Sequence, residues 1–158
     1  MVKAIPEGYH TATPMLAVRG GVQAIDFYKK ALGAHERFRL PSPDGKSIMH
    51  AELQVGDSII MLADEQPDMG CKSPTSLGGT TGSLFLYVQD ADAAFKRAVD
   101  AGAKAVMAPA DMFWGDRFGQ VEDPFGHRWG FATHKEDLTP EEIGKRQKQF
   151  MASMAGKT

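Results

Sequence analysis

The chain has 158 residues, of which 42% are hydrophobic and 24% are charged, a length and composition typical of one globular domain. Its net charge of -2 and the absence of any apolar run near the ~20 residues that span a bilayer argue against nucleic-acid and membrane partners. The single cysteine, Cys71, excludes an intrachain disulfide, and residues 1–10 lack a secretory-signal pattern, so we expect a cytoplasmic protein.

The first half of the chain predicts the order strand, helix, strand, strand, strand. Residues 11–18 favour a strand, and residues 21–32 place apolar side chains at helical spacing before Gly33 ends the helix. Three strands are then predicted, separated by turns rich in glycine and aspartate; they span residues 35–40, 47–55 and 58–63. A loop rich in proline, glycine, serine and threonine follows, from residue 64 to residue 81.

The second half of the chain repeats this order. A strand is predicted at 83–88, and Asp90 caps a helix over 91–101. Three further strands are predicted at 104–107, where Pro109 soon breaks the pattern, and at 116–122 and 127–133, which form a hairpin. A shift of about 70 residues aligns the two halves, which indicates an internal duplication. Thr139, Pro140 and Glu142 form a capping box that predicts a final helix at about 139–152.

Two stretches of the sequence are long and specific, residues 113–117 (FWGDR) and 123–129 (DPFGHRW), and they are supported by 24–28, 50–53, 73–79 and 86–88. With the repeated strand and helix order, they make the sequence similar to the vicinal-oxygen-chelate superfamily, which includes glyoxalases, bleomycin-resistance proteins and extradiol dioxygenases, and within it to the PhnB-like branch. The resemblance implies an α+β fold of tandem βαβββ modules, whose half-open, barrel-like sheets carry helices on the convex face. It places module one at about 11–64, module two at about 81–134 and a C-terminal helix beyond them, all in one domain.

The resemblance also implies a ligand cleft on the concave faces of the sheets. Strand alternation then places five candidate ligand-binding residues on the cleft side: Met15, Met61, Phe85, Tyr87 and Arg128. The loop that contains Phe113, Trp114 and Arg117 adds two aromatic rings and a cation, which can stack on a flat ligand and hold an anionic group.

A second interpretation of this loop remains open. In it, Trp114 plugs the end of the sheet, and Arg117 forms an ion pair with Asp116 or Glu122. Elsewhere in the hairpin, Trp129 is expected in the core and His127 in a turn, and His134 is assigned no role.

Metal-dependent members of the superfamily take their ligands from cleft-facing strand positions, which fall here on Thr13, Met61, Ser83 and Gly130. These side chains do not make a strong ligand set, so no metal cofactor is predicted. An alternative divalent-metal site would use His50, Glu52 and Asp64, because His50 and Glu52 share one face of a strand. His50 is also the candidate general base, with Glu52 tuning its proton affinity.

Three functions follow from these features. The first is a metal-free protein that binds a small molecule, as bleomycin-resistance-type proteins do. The second is a lyase, isomerase or dioxygenase with a metal site relocated to His50 and Glu52, and the third is an accessory protein with a vestigial cleft. The resemblance also implies a homodimer in which modules from two chains complete each cleft.

Overall fold

In the computed structural model, which describes residues 2–156, each half of the chain forms a four-stranded mixed sheet with one long helix. Module one comprises β1 (Met15–Val18), α1 (Gly21–Leu32), β2 (His35–Pro41), β3 (Ile48–Val55) and β4 (Ser58–Asp64). A 3₁₀ turn (Pro67–Met69) and the short helix α2 (Pro74–Leu77) connect it to module two. Module two comprises β5 (Ser83–Tyr87), α3 (Ala91–Asp100), β6 (Lys104–Asp111), β7 (Asp116–Glu122) and β8 (Arg128–His134), and α4 (Pro140–Ala155) follows.

The two sheets have the same topology. Their strand orders are β1-β4-β3-β2 and β5-β8-β7-β6. In each sheet the first and last strands of the module pair in parallel, and the other neighbours are antiparallel. Neither sheet closes into a barrel. The predicted α+β fold with two βαβββ modules and a C-terminal helix is therefore confirmed.

One hydrophobic core lies between the sheets and the helices α1 and α3, which pack against each other. Strand alternation directs Leu16 and Val18 into this core, while Met15 on the same strand stays 57% exposed on the concave side. Tyr28, Trp129 and residues from both sheets are fully buried there, so the two modules share one apolar interior.

The buried carboxylate of Asp123 joins the modules. Its Oδ2 accepts hydrogen bonds from the Tyr28 hydroxyl (2.6 Å) and from Nε1 of Trp129 (2.8 Å). Its Oδ1 accepts the backbone N–H groups of Phe125 (2.8 Å) and His127 (2.9 Å). These four donors offset the cost of burying a carboxylate. Burial, followed by the charge of Asp123, raises the pKa of Tyr28 well above its ordinary value.

The helix of each module, α1 or α3, is capped by the strand that ends that module. Asp64, at the end of β4, accepts the N–H groups of Gly20 and Gly21 through Oδ1, at 2.8 and 2.9 Å. Thr133 on β8 accepts the N–H of Ala91 at 2.8 Å, beside the cap supplied by Asp90. The shared arrangement fits a duplicated ancestral module.

Two predicted strand boundaries differ clearly from the structure. The first strand begins at Met15 rather than at residue 11, and residues before it cross the concave face of module one. The strand predicted at 104–107 continues through Pro109 to Asp111. Because β6 is an edge strand whose register shifts between Met107 and Ala110, the missing N–H of Pro109 is tolerated. The predicted capping box of α4 is present.

Candidate functional site

The concave side of module two carries a connected group of aromatic rings. Phe85 on β5 stacks on Phe118 of β7, with centroids 5.0 Å apart and an interplanar angle of 6°. Tyr87 lies 5.3 Å from Phe85, and Trp114 lies 6.0 Å from Phe118. We call Phe85, Tyr87, Trp114 and Phe118 the aromatic face. Because Phe85 and Tyr87 are 44% and 67% exposed, much of its apolar surface is open to a ligand.

A glycine on β8 makes room for the stacked rings. Gly130 pairs in register with Phe85, and a Cβ atom at position 130 would lie only 2.5 Å from the Phe118 ring. Gly130 is also one of the positions that the resemblance matched to a metal ligand. The ring of Phe118 therefore occupies the space into which a ligating side chain would project.

The carboxylate of Asp116 fixes one edge of the aromatic face. It is 4% exposed, and its Oδ2 accepts hydrogen bonds from Nε1 of Trp114 (3.1 Å) and from the Tyr87 hydroxyl (3.3 Å). Burial, and then the charge of Asp116, raises the pKa of Tyr87. The polar ends of both aromatic side chains are thus held in place, which orients their rings.

A histidine completes this edge. His134 contacts Asp116 Oδ1 through Nδ1 (2.8 Å) and Asp137 Oδ1 through Nε2 (3.0 Å). The hydrogen bond to Asp137, and next that to Asp116, raises the pKa of His134. The protonated ring can donate to both carboxylates at once.

The loop before β7 links the aromatic face to the C-terminal helix. Phe113 packs edge-on against Trp114 at 5.1 Å and lies 5.5 Å from Phe150 of α4. The helix α4 buries no residue fully, so this aromatic contact is one of the features that position it.

The concave side of module one forms a different site. Residues 4–13 lie over the sheet and enclose a cavity of about 690 Å³, lined among others by Tyr9, Arg37, Glu52 and Met61. The Arg37 guanidinium lies 5.6 Å from the centre of the Tyr9 ring. Burial, followed by a hydrogen bond with Glu52, raises the pKa of Tyr9. The N-terminal segment is therefore anchored over the candidate residue Glu52.

The predicted ligand-binding residues fall into separate groups. Phe85, Tyr87, Phe113 and Trp114 meet at module two. On module one, Met15 and Met61 pair in register across β1 and β4. Arg128 lies opposite Ser83 at the other end of β8, where its Nε is 3.5 Å from a Glu122 carboxylate oxygen.

Arg117 points away from the aromatic face. Its guanidinium forms an ion pair with Asp92 of α3 and another with Asp111 (3.2 Å), and these raise the pKa of Arg117. The side chain therefore lies on the helix side of the sheet. Neither Asp116 nor Glu122 is the partner that the alternative interpretation expected.

The candidate metal residues do not converge. His50 and Glu52 share the concave face, with Nε2 and Oε1 3.5 Å apart. Asp64 lies on the helix side, where it accepts the N–H groups of Gly20, Gly21 and Ile48. Across residues 2–156, no group of three histidine, cysteine, aspartate or glutamate side chains is arranged to hold a metal ion. These residues do not fit a chelated metal.

Sequence reasoning missed Phe118, Asp116 and His134 as parts of one site. Alternation along β7 places Phe118 and Arg117 on opposite faces of the sheet. Because Arg117 lies on the helix side, Phe118 lies on the concave side, and the sequence could have identified it there. The meeting of Asp116 with His134 has no local signal, since it depends on the antiparallel pairing of β7 with β8.

No helix within residues 2–156 is both long enough and apolar enough to cross a membrane.

Comparisons with known proteins agree with this architecture. Residues 10–131 match the family model described as Glyoxalase/Bleomycin resistance protein/Dioxygenase superfamily. An uncharacterised protein of Mycobacterium tuberculosis is 48% identical over 134 residues, which are 83% of this chain and 78% of that protein. The crystal structure of TioX from Micromonospora sp. ML1 aligns with a TM-score of 0.64 and 30% identity, covering 79% of this chain and 98% of that one. A PhnB protein from Bacillus cereus, at 16% identity, shares the fold with a TM-score of 0.61, covering 78% of this chain and 99% of that one.

Proposed function

The chain belongs to the glyoxalase/bleomycin resistance protein/dioxygenase superfamily, and we propose that it binds a flat, largely apolar small molecule on the aromatic face. The observation that carries this proposal is the geometry of the exposed rings. Phe85 and Phe118 are nearly parallel, and Tyr87 and Trp114 extend the same surface on either side. Offset stacking on such rings stabilises a planar ligand beyond the gain from apolar burial alone.

The hydrogen bonds at the edge of the face define the polar part of this ligand. The Tyr87 hydroxyl donates a hydrogen bond to Asp116, so its oxygen lone pairs are available to accept one from a ligand. A ligand that carries an O–H or N–H group beside its flat apolar body therefore fits best. The proposal requires no metal, because the residues at the chelating positions offer no adequate donor set.

A second copy of the chain is the proposed cover for the face. Module one exposes apolar side chains on its own concave side, including Met15 (57%), Phe38 (49%) and Leu40 (47%). Exposed apolar surface of this kind is typical of interfaces and ligand clefts. In the proposed homodimer, the concave side of module one from one chain closes the aromatic face of the other. We place this dimer in the cytoplasm, where its exposed Cys71 stays reduced.

Titration with flat bicyclic phenols and amines, beginning with 2-naphthol, tests the proposal. Binding is followed by calorimetry and by the fluorescence of Trp114, which lies on the face, whereas Trp129 is buried. Phe85→Ala should weaken binding about tenfold, because it removes one side of the stack. The control is Met69→Ala, which changes an apolar side chain that is 79% exposed in the 3₁₀ turn.

Equal affinities of the Phe85→Ala and Met69→Ala proteins would remove the aromatic face from the proposed function. Absence of binding across the whole panel would do the same for flat apolar ligands.

A further inference from the structure

A cavity of about 660 Å³ lies where the two modules meet, between β1 and the loop at residues 72–81. It shares no residue with the aromatic face. The lining residues that matter here are Met15, Lys72, Leu77, Thr80, Thr81 and His127. Its volume is within the range of sites that bind small molecules.

His127 presents an unpaired hydrogen-bond acceptor at this cavity. Its side chain is only 8% exposed, and its Nε2 lies 2.8 Å from the carbonyl oxygen of Ala17. Because a carbonyl only accepts, Nε2 carries a proton, and Nδ1 is the ring nitrogen that remains to accept a hydrogen bond. Within residues 2–156 no side chain or backbone group bonds to Nδ1, and no fully buried side-chain nitrogen lacks a partner. Nδ1 is therefore not fully buried, and His127 lines this cavity.

Lys72 gives the cavity an unopposed positive charge. It forms no ion pair or hydrogen bond with any residue in the described part of the chain, and the cavity lining contains no acidic side chain. The Thr81 hydroxyl is a further donor on the same wall, whereas the Thr80 hydroxyl donates a long hydrogen bond to the Gly82 carbonyl (3.5 Å). An anionic group is the ligand chemistry that this wall fits.

Between these donors, the cavity wall is formed by the backbone of Gly78 and Gly79. Gly78 and Gly79 have φ angles of 78° and 158°, and a Cβ atom at either position would meet nothing within 4 Å. At Gly78 the left-handed backbone favours glycine over other residues. The turn thus keeps side chains off the wall that a ligand would approach. On the other side, Met15 and Leu77 supply apolar surface.

We propose that this cavity binds a small hydroxycarboxylate. Its carboxylate pairs with Lys72 and accepts a hydrogen bond from the Thr81 hydroxyl, and its own hydroxyl donates a hydrogen bond to Nδ1 of His127. Its apolar part packs against Met15 and Leu77. The cavity takes a different ligand chemistry from the aromatic face, and Met15 is the residue that it shares with the proposed dimer contact.

Three probes separate these contributions. Mandelate carries a carboxylate, a hydroxyl and a phenyl group, phenylacetate lacks the hydroxyl, and mandelamide lacks the charge. Binding to the ¹⁵N-labelled protein is followed through the amide signals of Gly78, Gly79 and Thr80 and the Nδ1 signal of His127. Mandelate should bind more tightly than both analogues, and only the two hydroxyl-bearing probes should move the Nδ1 signal.

Lys72→Met tests the charge. It should weaken mandelate binding about tenfold, as expected for loss of a charge-assisted contact, and leave mandelamide unchanged. The matched control is Lys46→Met, which removes an exposed lysine in the turn before β3. Both positions are exposed, so neither variant should disturb the fold.

Three results would overturn the inference: no movement of the Gly78–Thr80 signals at about 10 mM mandelate, equal affinities of the two lysine variants, or equal binding of mandelate and phenylacetate. Signals that move only at Phe85, Tyr87 and Trp114 would reject this cavity while supporting the aromatic face. Failure of 2-naphthol to bind would count against the proposed function of the aromatic face but not against the inference about this cavity.

Discussion

Two buried carboxylates of module two serve different parts of the molecule. Asp116 and Asp123 are each 4% exposed. Asp123 is saturated by donors of the core, so its role is to hold the modules together. Asp116 bonds Tyr87, Trp114 and His134 at the rim of the aromatic face. The hydrogen bonds of Asp116 thus position the side chains at the rim of the aromatic face, whereas those of Asp123 stabilise the fold.

The stability contributed by His134 should depend on pH. The folded state raises its pKa above the ordinary value of 6.5, through Asp137 and then Asp116. This contribution is fully present below the unfolded pKa and is lost as pH rises through the higher folded value. The thermal unfolding midpoint of wild type should therefore exceed that of His134→Gln by more at about pH 6 than at about pH 9.

The control for this prediction is His35→Gln, which changes an exposed histidine at the start of β2. Its difference from wild type should not vary in the same way with pH. An equal effect of His134→Gln at both pH values would show that protonation of this ring does not stabilise the rim.

Sequence patterns predict single residues well where one strand decides their direction. Alternation alone places Phe85 and Tyr87 on one face of β5 and Leu16 in the core. Proximity in the sequence predicts that Arg117 acts together with Trp114, yet β7 directs the guanidinium toward Asp92 of α3. The partners of a long side chain depend on the neighbouring element, which local sequence does not encode.

At the scale of elements, α1 depends on a cap from another strand. Its first residues are glycines, and Gly20 has no side chain with which to cap the helix. Asp64 of β4 bonds the N–H groups of Gly20, Gly21 and Ile48 instead. Gly21 must stay small, because a Cβ there would lie 2.6 Å from the Asp64 carboxylate. The negative charge of the Asp64 carboxylate also interacts favourably with the positive, N-terminal end of the helix dipole.

Asp64→Ala should therefore lower the free energy of unfolding by about 2 kcal/mol, since three backbone donors lose a charged acceptor. Urea denaturation measures this change. Asp57→Ala, in the exposed turn between β3 and β4, is the matched control and should cost much less. If both variants were equally stable, capping by Asp64 would contribute nothing measurable.

Most elements were predictable because their apolar residues follow the period of a helix or a strand. The exceptions have physical causes. Proline has no backbone N–H, so it ends a strand only where the sheet needs that hydrogen-bond donor. Pro109 lies on the edge strand β6, where the donor is not needed. Strand alternation places Met49 in the core with Ala51 and Leu53, but Ile48 is buried there instead and Met49 is exposed, because the pairing of β2 with β3 shifts register beside them. Both effects depend on how strands pair within the sheet, which the pattern along a single strand does not show.

At the scale of the whole molecule, one shared core supports two concave faces of different character. Module two exposes stacked rings above a fixed carboxylate, and module one is partly covered by residues 4–13. The duplication explains the common frame, since both helices are capped from equivalent strands. The two faces have diverged in their side chains, so only module two presents a stacked aromatic surface among the described residues.

The proposed homodimer makes the exposed apolar residues of module one part of the cleft of the other chain. Phe38 and Leu40 pair in register with Glu52 and His50, which places them on the concave side. Phe38→Glu should therefore shift the protein from dimer to monomer in sedimentation experiments, because a charge would be buried at the interface. The fold itself should persist, since Phe38 is already 49% exposed.

The same substitution should weaken 2-naphthol binding, although Phe38 and the aromatic face lie on different modules. Loss of both properties together is what a cleft shared between two chains requires. Met69→Glu, at a residue that is 79% exposed outside both concave faces, should change neither. A Phe38→Glu monomer that binds 2-naphthol as tightly as wild type would show that the aromatic face acts alone. A wild-type protein that sediments as a monomer would reject the dimer and leave the face open to a ligand without a cover.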